Sequence, residues 1–407
     1  MPRAGPQSAI AVRFYANPDM KLPRLTCLWF RLAAAAVLAL SSSACREHSK
    51  PVTSEAPSSA VAGSLRLSPS PAQAEARALK ECAAPLEVTA ASQVQIGNRR
   101  ATLAGFKLSF EVPSRSGQIV FGALGPINED SAANLAALKK YLKFFADEKA
   151  DAILVSGDVG ETPSAIAHAL KVLAASKLPV LVVTGNRECR ADFAEGVAEA
   201  QKEFKNVVNL NQVREVEFAE ATVISLPGYH DPNFINCATG CRYYPSTIDE
   251  VVHLALSAKS PVVLISHGPP RGEGSQALDY AISGGNVGDE QLTRAIREAK
   301  IRFGVFSNIK EAGARATDLE GTTVMPAEKP APSLYLNPGP ADTTPWDMND
   351  GSKSAGMAAV LAIKEGQASW RPFRIAPTQK ASPISRKDPG HAARPSSTKA
   401  GLTGKKP

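Results

Sequence analysis

The sequence predicts an α/β protein in which two packed mixed β-sheets are flanked by helices. Three observations carry this expectation. Between 118 and 205, short apolar runs of strand length alternate with longer stretches of helical period. The later apolar runs, at 213–218, 222–226, 357–364 and 368–375, have few helices between them, and that mixture fits two packed sheets flanked by helices. The segment 118–375 also has the length of one ordinary domain.

Taken in order, a strand-like piece at 101–112 precedes the main domain, and 118–121 (Gln-Ile-Val-Phe) is its first strand. Residues 131–149 place Leu135, Leu138, Leu142 and Phe145 on one helical face. The strand 152–156 follows, then a helix at 162–177, a strand at 179–184 and a helix at 191–205. Two further apolar runs, 261–265 and 334–336, read as strands.

Outside this domain the composition changes. From Met20 the chain has the form of a signal peptide: Lys21, Arg24 and Arg31 precede an apolar run at 32–40, and Ser-Ser-Ser-Ala44-Cys45 follows. This resembles a bacterial lipoprotein cleavage box with Cys45 as the lipidated residue, although Ser42 stands where Leu is usual. An ordinary signal peptide with Cys45 merely near the cut is the other reading. The apolar run is shorter than the roughly 20 residues that a membrane span needs. Residues 1–45 are therefore assigned to the signal, 46–80 to a Ser/Pro/Ala-rich linker, 81–117 to an N-terminal extension, 118–375 to the main domain and 376–407 to a basic tail.

The formal charge of +7 belongs to the ends: five Lys or Arg and one Asp give +4 in residues 1–45, and seven and one give +6 in residues 376–407. The remaining body carries −3, so its charge offers no reason to expect a nucleic-acid partner.

Five segments carry chemistry. They are Gly122-Ala-Leu-Gly125, Gly157-Asp158-Val-Gly-Glu161, Gly185-Asn186-Arg187-Glu188, Ser266-His267-Gly-Pro-Pro270 and the stretch Ser307-Asn308-Ile-Lys310-Glu-Ala, each after an apolar run. In order and spacing they resemble the DxH, GDxxD, GNH(D/E), lone-His and GHxHEA motifs of the calcineurin-like metallophosphoesterases, across about 118–375. The resemblance implies an αββα sandwich and a centre holding two divalent ions, about 4 Å apart, that activate water against a phosphate ester.

Carried over by position, the first metal site would be Ala123, Gly125, Asp158 and Lys310, of which Asp158 alone can coordinate. Lys310 brings an ammonium to the place of the ion and is expected to neutralise Asp158. The second site would be Asp158, Asn186, His267 and Asn308, able to hold one hard or borderline ion such as Mn or Mg weakly. Arg187 stands at the GNH histidine, so that no catalytic residue is expected there. Arg187 and Lys310 together could hold an anion, or Arg187 could simply pair with Glu188 or Asp158.

No cofactor is expected beyond that possible ion. The family likeness then implies a hydrolase fold without two-metal catalysis: a binding or scaffolding module with an envelope partner or an anionic ligand. The alternatives are a phosphoesterase working with one metal or replacement groups, and a purely structural lipoprotein.

Cys82, Cys189, Cys237 and Cys241 form an even set for an oxidising compartment, with Cys237 to Cys241 and Cys82 to Cys189 the favoured pairs. The anchor is testable by fractionation. Cys45→Ser should move the protein from the membrane fraction to the soluble periplasmic fraction, and its retention with membranes would exclude Cys45 as the anchor.

Overall fold

The computed structural model describes residues 81–111 and 117–376, all within the unit Leu67–Pro407. The signal segment with Cys45, the linker 46–80 and the basic tail from 377 lie outside the described residues, as does the end of the strand expected at 101–112. Among the described residues no helix is long and apolar enough to cross a membrane.

Two sheets form the middle of the fold. In the first, β4 (Gln118–Leu124), β5 (Ala152–Val155), β6 (Val180–Val182) and β7 (Val207–Asn209) run parallel. Beyond β4, β18 (Met357–Lys364) and β19 (Gln367–Arg374) complete the sheet as an antiparallel pair.

The second sheet has the order β1-β2-β3-β8-β9-β10-β13-β15-β14. Its strands are β1 (Ser92–Ile96), β2 (Arg99–Ala104), β3 (Lys107–Phe110), β8 (Glu215–Glu217), β9 (Thr222–Leu226), β10 (Val262–Ser266), β13 (Phe303–Val305), β14 (Arg315–Thr317) and β15 (Leu334–Asn337). Two small hairpins, β11 (Tyr280–Ala281) with β12 (Gly285–Asn286) and β16 (Trp346–Asp347) with β17 (Lys353–Ser354), stand outside the sheets.

Strand periodicity explains the layering. Along β4, Ile119, Phe121 and Ala123 turn inward with Leu154, Leu181 and Leu361, against Leu108, Val216, Val263, Phe303 and Leu336 of the second sheet. The alternate residues Val120 and Leu124, with Ile153, Val155 and Val182, meet helices α1 (Ala132–Asp147), α2 (Pro163–Ala174) and α3 (Arg190–Glu203) through Leu138, Phe145, Ile166, Leu170 and Phe193. On the far face of the second sheet, Ile224, Leu226 and Leu264 pack against α4 (Pro245–Ser257) and α5 (Glu290–Glu298) through Ile248, Val251, Leu254, Leu292 and Ile296. Strands covered on both sides are almost wholly apolar, as parallel strands between layers must be, with Ser266 at the end of β10 the exception. The fold is the expected sandwich of two sheets between two helical layers.

Starts of helices are set locally. Ser131 and Thr162 accept the N–H groups of Asn134 and Ala165, and Pro163 fits the first turn of α2, where no donor is needed. The three early helices thus lie where they were expected, with bounds shifted by one to three residues.

Three expectations are corrected. The later half is not poor in helices, since α4 and α5 cover the second sheet. The 81–117 extension is not a single strand beside the domain. It contributes β1, β2 and β3 to the nine-stranded sheet, where β3 pairs with β8 in parallel.

The disulfides join Cys82 to Cys241 and Cys189 to Cys237 rather than the pairs expected. The reason is the turn at 237–240. Gly240 donates back to the Cys237 carbonyl and bridges Cys189, so Cys237 faces the start of α3 while buried Cys241 faces the extension.

Arg214 strengthens this attachment. Fully buried, it donates from Nη1 to Ala84 O (3.2 Å) and to Glu250 (3.0 Å), and from Nε to Ser225 O (3.3 Å). The Cys82–Cys241 bond closes a separation of 159 residues, so replacing both cysteines by Ser should lower stability by about 2–4 kcal/mol. Urea unfolding without reductant measures this, and an unchanged midpoint would mean that the attachment of the extension contributes nothing to folding.

Candidate functional site

The five motif segments converge because they all follow strands at one end of the sandwich. Gly125 follows β4, Asp158 follows β5, Asn186 follows β6, His267 follows β10, and Ser307 with Asn308 follows β13. Loops at the C-terminal ends of parallel strands are free of pairing and can meet above the sheet edge.

Asp158 is the centre of this meeting. It is 3 % exposed and has a left-handed backbone (φ 56), a conformation that Asp tolerates better than most residues. Its Oδ1 accepts the backbone N–H groups of Asn186 and Arg187, both at 3.1 Å, while its carbonyl accepts those of Ile127 and Asn128. His267 Nε2 lies 3.3 Å from the same Oδ1 and 3.0 Å from Asn186 Oδ1. The Asn186 amide is oriented by its nitrogen, which donates to Phe234 O at 2.7 Å.

His267 is itself fully buried. Its Nδ1 faces Ser156 O at 2.8 Å, and the Ser307 hydroxyl is 3.3 Å away while donating to the same carbonyl. Both ring nitrogens therefore point at oxygen acceptors.

The electrostatics follow from this geometry. Burial favours neutral Asp158, but His267 first, and then Lys310 and Arg187, hold its carboxyl below the ordinary value. Burial likewise disfavours charged His267, and the Asp158 carboxylate outweighs it, so the imidazole is pushed above its ordinary value. Glu188, fully buried, accepts the N–H groups of Val159 (2.6 Å) and Gly185 (2.9 Å), tying the β5 loop to the β6 loop. Burial and then the Asp158 charge push it up to about 7.

Other predicted residues lie elsewhere than expected. Lys310 does not pair with Asp158. Its ammonium stands 3.9 Å from the centre of the Trp346 ring, a cation–π contact, and reaches Asp158 only through longer-range charge. Trp346 Nε1 donates to Asp342 at 3.0 Å, which fixes the ring beneath the lysine. The Arg187 guanidinium bonds Glu161, at the second acidic position of the GDxxD-like segment, and its backbone N–H reaches Asp158. The Asn308 amide donates to Tyr229 Oη at 2.9 Å, outside the Asp158–Asn186–His267 group.

Sequence reading missed Tyr229, Trp346 and the 231–241 loop. Glu161 stands in the GDxxD-like segment, but its pairing with Arg187 was not among the expectations.

The two ion positions differ in fit. At the first, Ala123 and Gly125 offer no side-chain donor, and there is no room for one at 125. A Cβ there would clash with the Gly339 carbonyl oxygen and lie 3.2 Å from Ser307 Cβ. At the second, Asp158 Oδ1, Asn186 Oδ1 and His267 Nε2 converge, and Ser156 O anchors Nδ1 as it would for a ligating histidine. With one carboxylate, whose Oδ1 already accepts two N–H groups, this set fits one ion at most. Among the described residues no group of three His, Cys, Asp or Glu side chains could hold a metal.

Comparison with known proteins agrees with the architecture. Residues 128–295 match the family model of the calcineurin-like phosphoesterases, and the chain has the fold of that family. The matched segment contains Asp158, Asn186 and His267 and stops short of Ala123, Gly125, Asn308 and Lys310.

Among solved structures, GAP50, the anchor in the inner membrane complex of Plasmodium, is 11 % identical over 64 % of this chain and 85 % of its own, with a TM-score of 0.42. A dimetal phosphatase from Danio rerio is 10 % identical over 63 % and 99 %, with a TM-score of 0.38. The Thermus thermophilus protein TT1561 is 14 % identical over 58 % and 98 %, also at 0.38. Likenesses this distant support no inference of activity. No curated protein sequence matches the chain.

The partner of Asp158 can be identified by a double-mutant cycle. Asp158→Asn with His267→Gln should show a coupling of about 1–3 kcal/mol in unfolding free energy, whereas Asp158→Asn with Lys310→Met should be additive within about 0.5 kcal/mol. A larger coupling for Lys310 than for His267 would return the ammonium to the carboxylate.

Proposed function

We propose that this protein is a non-catalytic relative of the metallophosphoesterases, tethered to the bacterial envelope through Cys45 and acting there as a binding or scaffolding module. The carrying observation is the loss of the first metal position. Ala123 and Gly125 supply no ligand, and the Gly339 carbonyl with Ser307 Cβ fills the space that a histidine at 125 would need. Two-ion hydrolysis needs a second cation to clamp the opposite oxygen of the phosphoryl group, and nothing at this position can retain one. The remaining centre is internally satisfied, with Asp158, Asn186 and His267 bonding one another and nearby backbone.

Its partner would be an envelope component or an anionic ligand. Support for the latter is the placement of Arg187 and Lys310 near Asp158, where they bring positive charge.

A second reading, a one-metal phosphoesterase, is favoured by the convergence of Asp158, Asn186 and His267. Bound there, an ion would act as a Lewis acid on a phosphoryl oxygen. The chain's own residues would orient that ion and supply cations nearby. No general acid is evident at the GNH position, where Arg187 is engaged with Glu161.

Assays decide between the readings. The purified protein with Mn or Mg should hydrolyse neither a model phosphomonoester nor a model diester, and Ala123→Asp with Gly125→His should lower stability without creating activity. Metal-dependent turnover abolished by His267→Gln would establish the one-metal enzyme instead.

A further inference from the structure

A second group of polar side chains lies across Tyr229 from Asp158. Tyr229 donates from its backbone to Cys241 O (3.1 Å) and accepts from Tyr243 N (3.2 Å), which sets His230 beside Arg242. Pro270 bridges Asp289, Arg271 N donates to Asp289 O at 3.2 Å, and the Tyr243 hydroxyl donates to Asp289 Oδ2 at 3.0 Å, which brings Arg271 to the same floor.

Two buried atoms here, His230 Nδ1 and Arg242 Nε, have no hydrogen-bond partner among the described residues. Among the described residues neither arginine makes a guanidinium ion pair, although the Arg242 guanidinium carbon lies 5.0 Å from the Tyr244 ring centre. The neighbouring carboxylates are already engaged. Asp289 accepts Gln291 N and the Tyr243 hydroxyl, and Asp231 accepts the backbone and side-chain nitrogens of Asn233.

We propose that His230, Arg242 and Arg271 form a binding niche for a phosphate-type oxyanion group. Two guanidinium groups and an imidazole offer more donors than the two oxygens of a carboxylate accept, and they suit the three oxygens of a tetrahedral phosphate. Burial lowers His230 first, against the charges of Asp289 and Asp231 and together with those of Arg242 and Arg271, so the ring enters as a neutral donor. Exposed Arg271 gives the niche access to solvent. Tyr229 forms the wall toward the other centre, with its hydroxyl taken by Asn308 and its ring 6.1 Å from His267. The niche does not depend on whether the Asp158 centre is catalytic.

Calorimetric titration with inorganic phosphate, at low salt and without divalent ions, tests this. Saturable binding of one equivalent is expected. Arg242→Gln and Arg271→Gln should each weaken it roughly ten-fold or more while unfolding at the wild-type temperature. Binding should persist in Arg187→Gln and Lys310→Met. Absence of saturable binding to the wild type would overturn the niche. So would binding kept in Arg242→Gln and Arg271→Gln but lost in Arg187→Gln or Lys310→Met, which would place the anion at the vacated metal position. Metal content and hydrolysis are read separately, so failure here leaves the non-catalytic reading to its own assays.

Discussion

The buried carboxylate of Asp158 is the constraint around which this end of the molecule is arranged. A lone ionised carboxylate inside a protein costs several kcal/mol unless charge and hydrogen bonds compensate it. In a two-metal enzyme, cations provide that compensation. Here two backbone N–H groups and His267 do so, with Asn186 and Ser156 orienting the imidazole. The left-handed turn at Asp158 and the Glu188 clamp keep the β5 and β6 loops at the separation this network needs.

Covalent attachment extends the arrangement outward. The Cys189–Cys237 bond holds the 231–241 loop against the start of α3, and this loop supplies the Phe234 carbonyl that orients Asn186. The next bond, Cys82–Cys241, ties the same loop to the extension that adds three strands to the second sheet. The network around Asp158 thus depends on packing at the sheet ends and on a loop fastened at two points.

Much of the fold was legible in the sequence. Helices α1 to α3 declare themselves by apolar spacing, and α1 and α2 also by Ser131, Thr162 and Pro163 at their starts. Helix α4 carried the same signal in Ile248, Val251, Leu254 and Ala255 but stood among strand-like runs, and α5, at nine residues, was too short to stand out. Strand β1, at the sheet edge, was obscured by its exposed polar residues, whereas the single strand-like run at 101–112 merged most of β2 with β3.

In the site, Asp158, Asn186 and His267 fell together as their motif positions implied, because strand ends fix loop positions. Lys310 did not reach Asp158, because an aromatic ring 36 residues later in the chain offered its ammonium a nearer contact. The disulfide pairs were beyond reading for a related reason, since connectivity follows from three-dimensional proximity and not from spacing.

The Gly339 carbonyl and Ser307 Cβ take the room of a side chain at 125, and Asp158, Asn186 and His267 bond one another. Anomalous diffraction from crystals soaked in Mn tests this arrangement most directly. No peak is expected between Asp158 and Lys310, with the Gly339 carbonyl beside Gly125 and at most weak density among Asp158, Asn186 and His267. Two full-occupancy Mn peaks about 4 Å apart would contradict it.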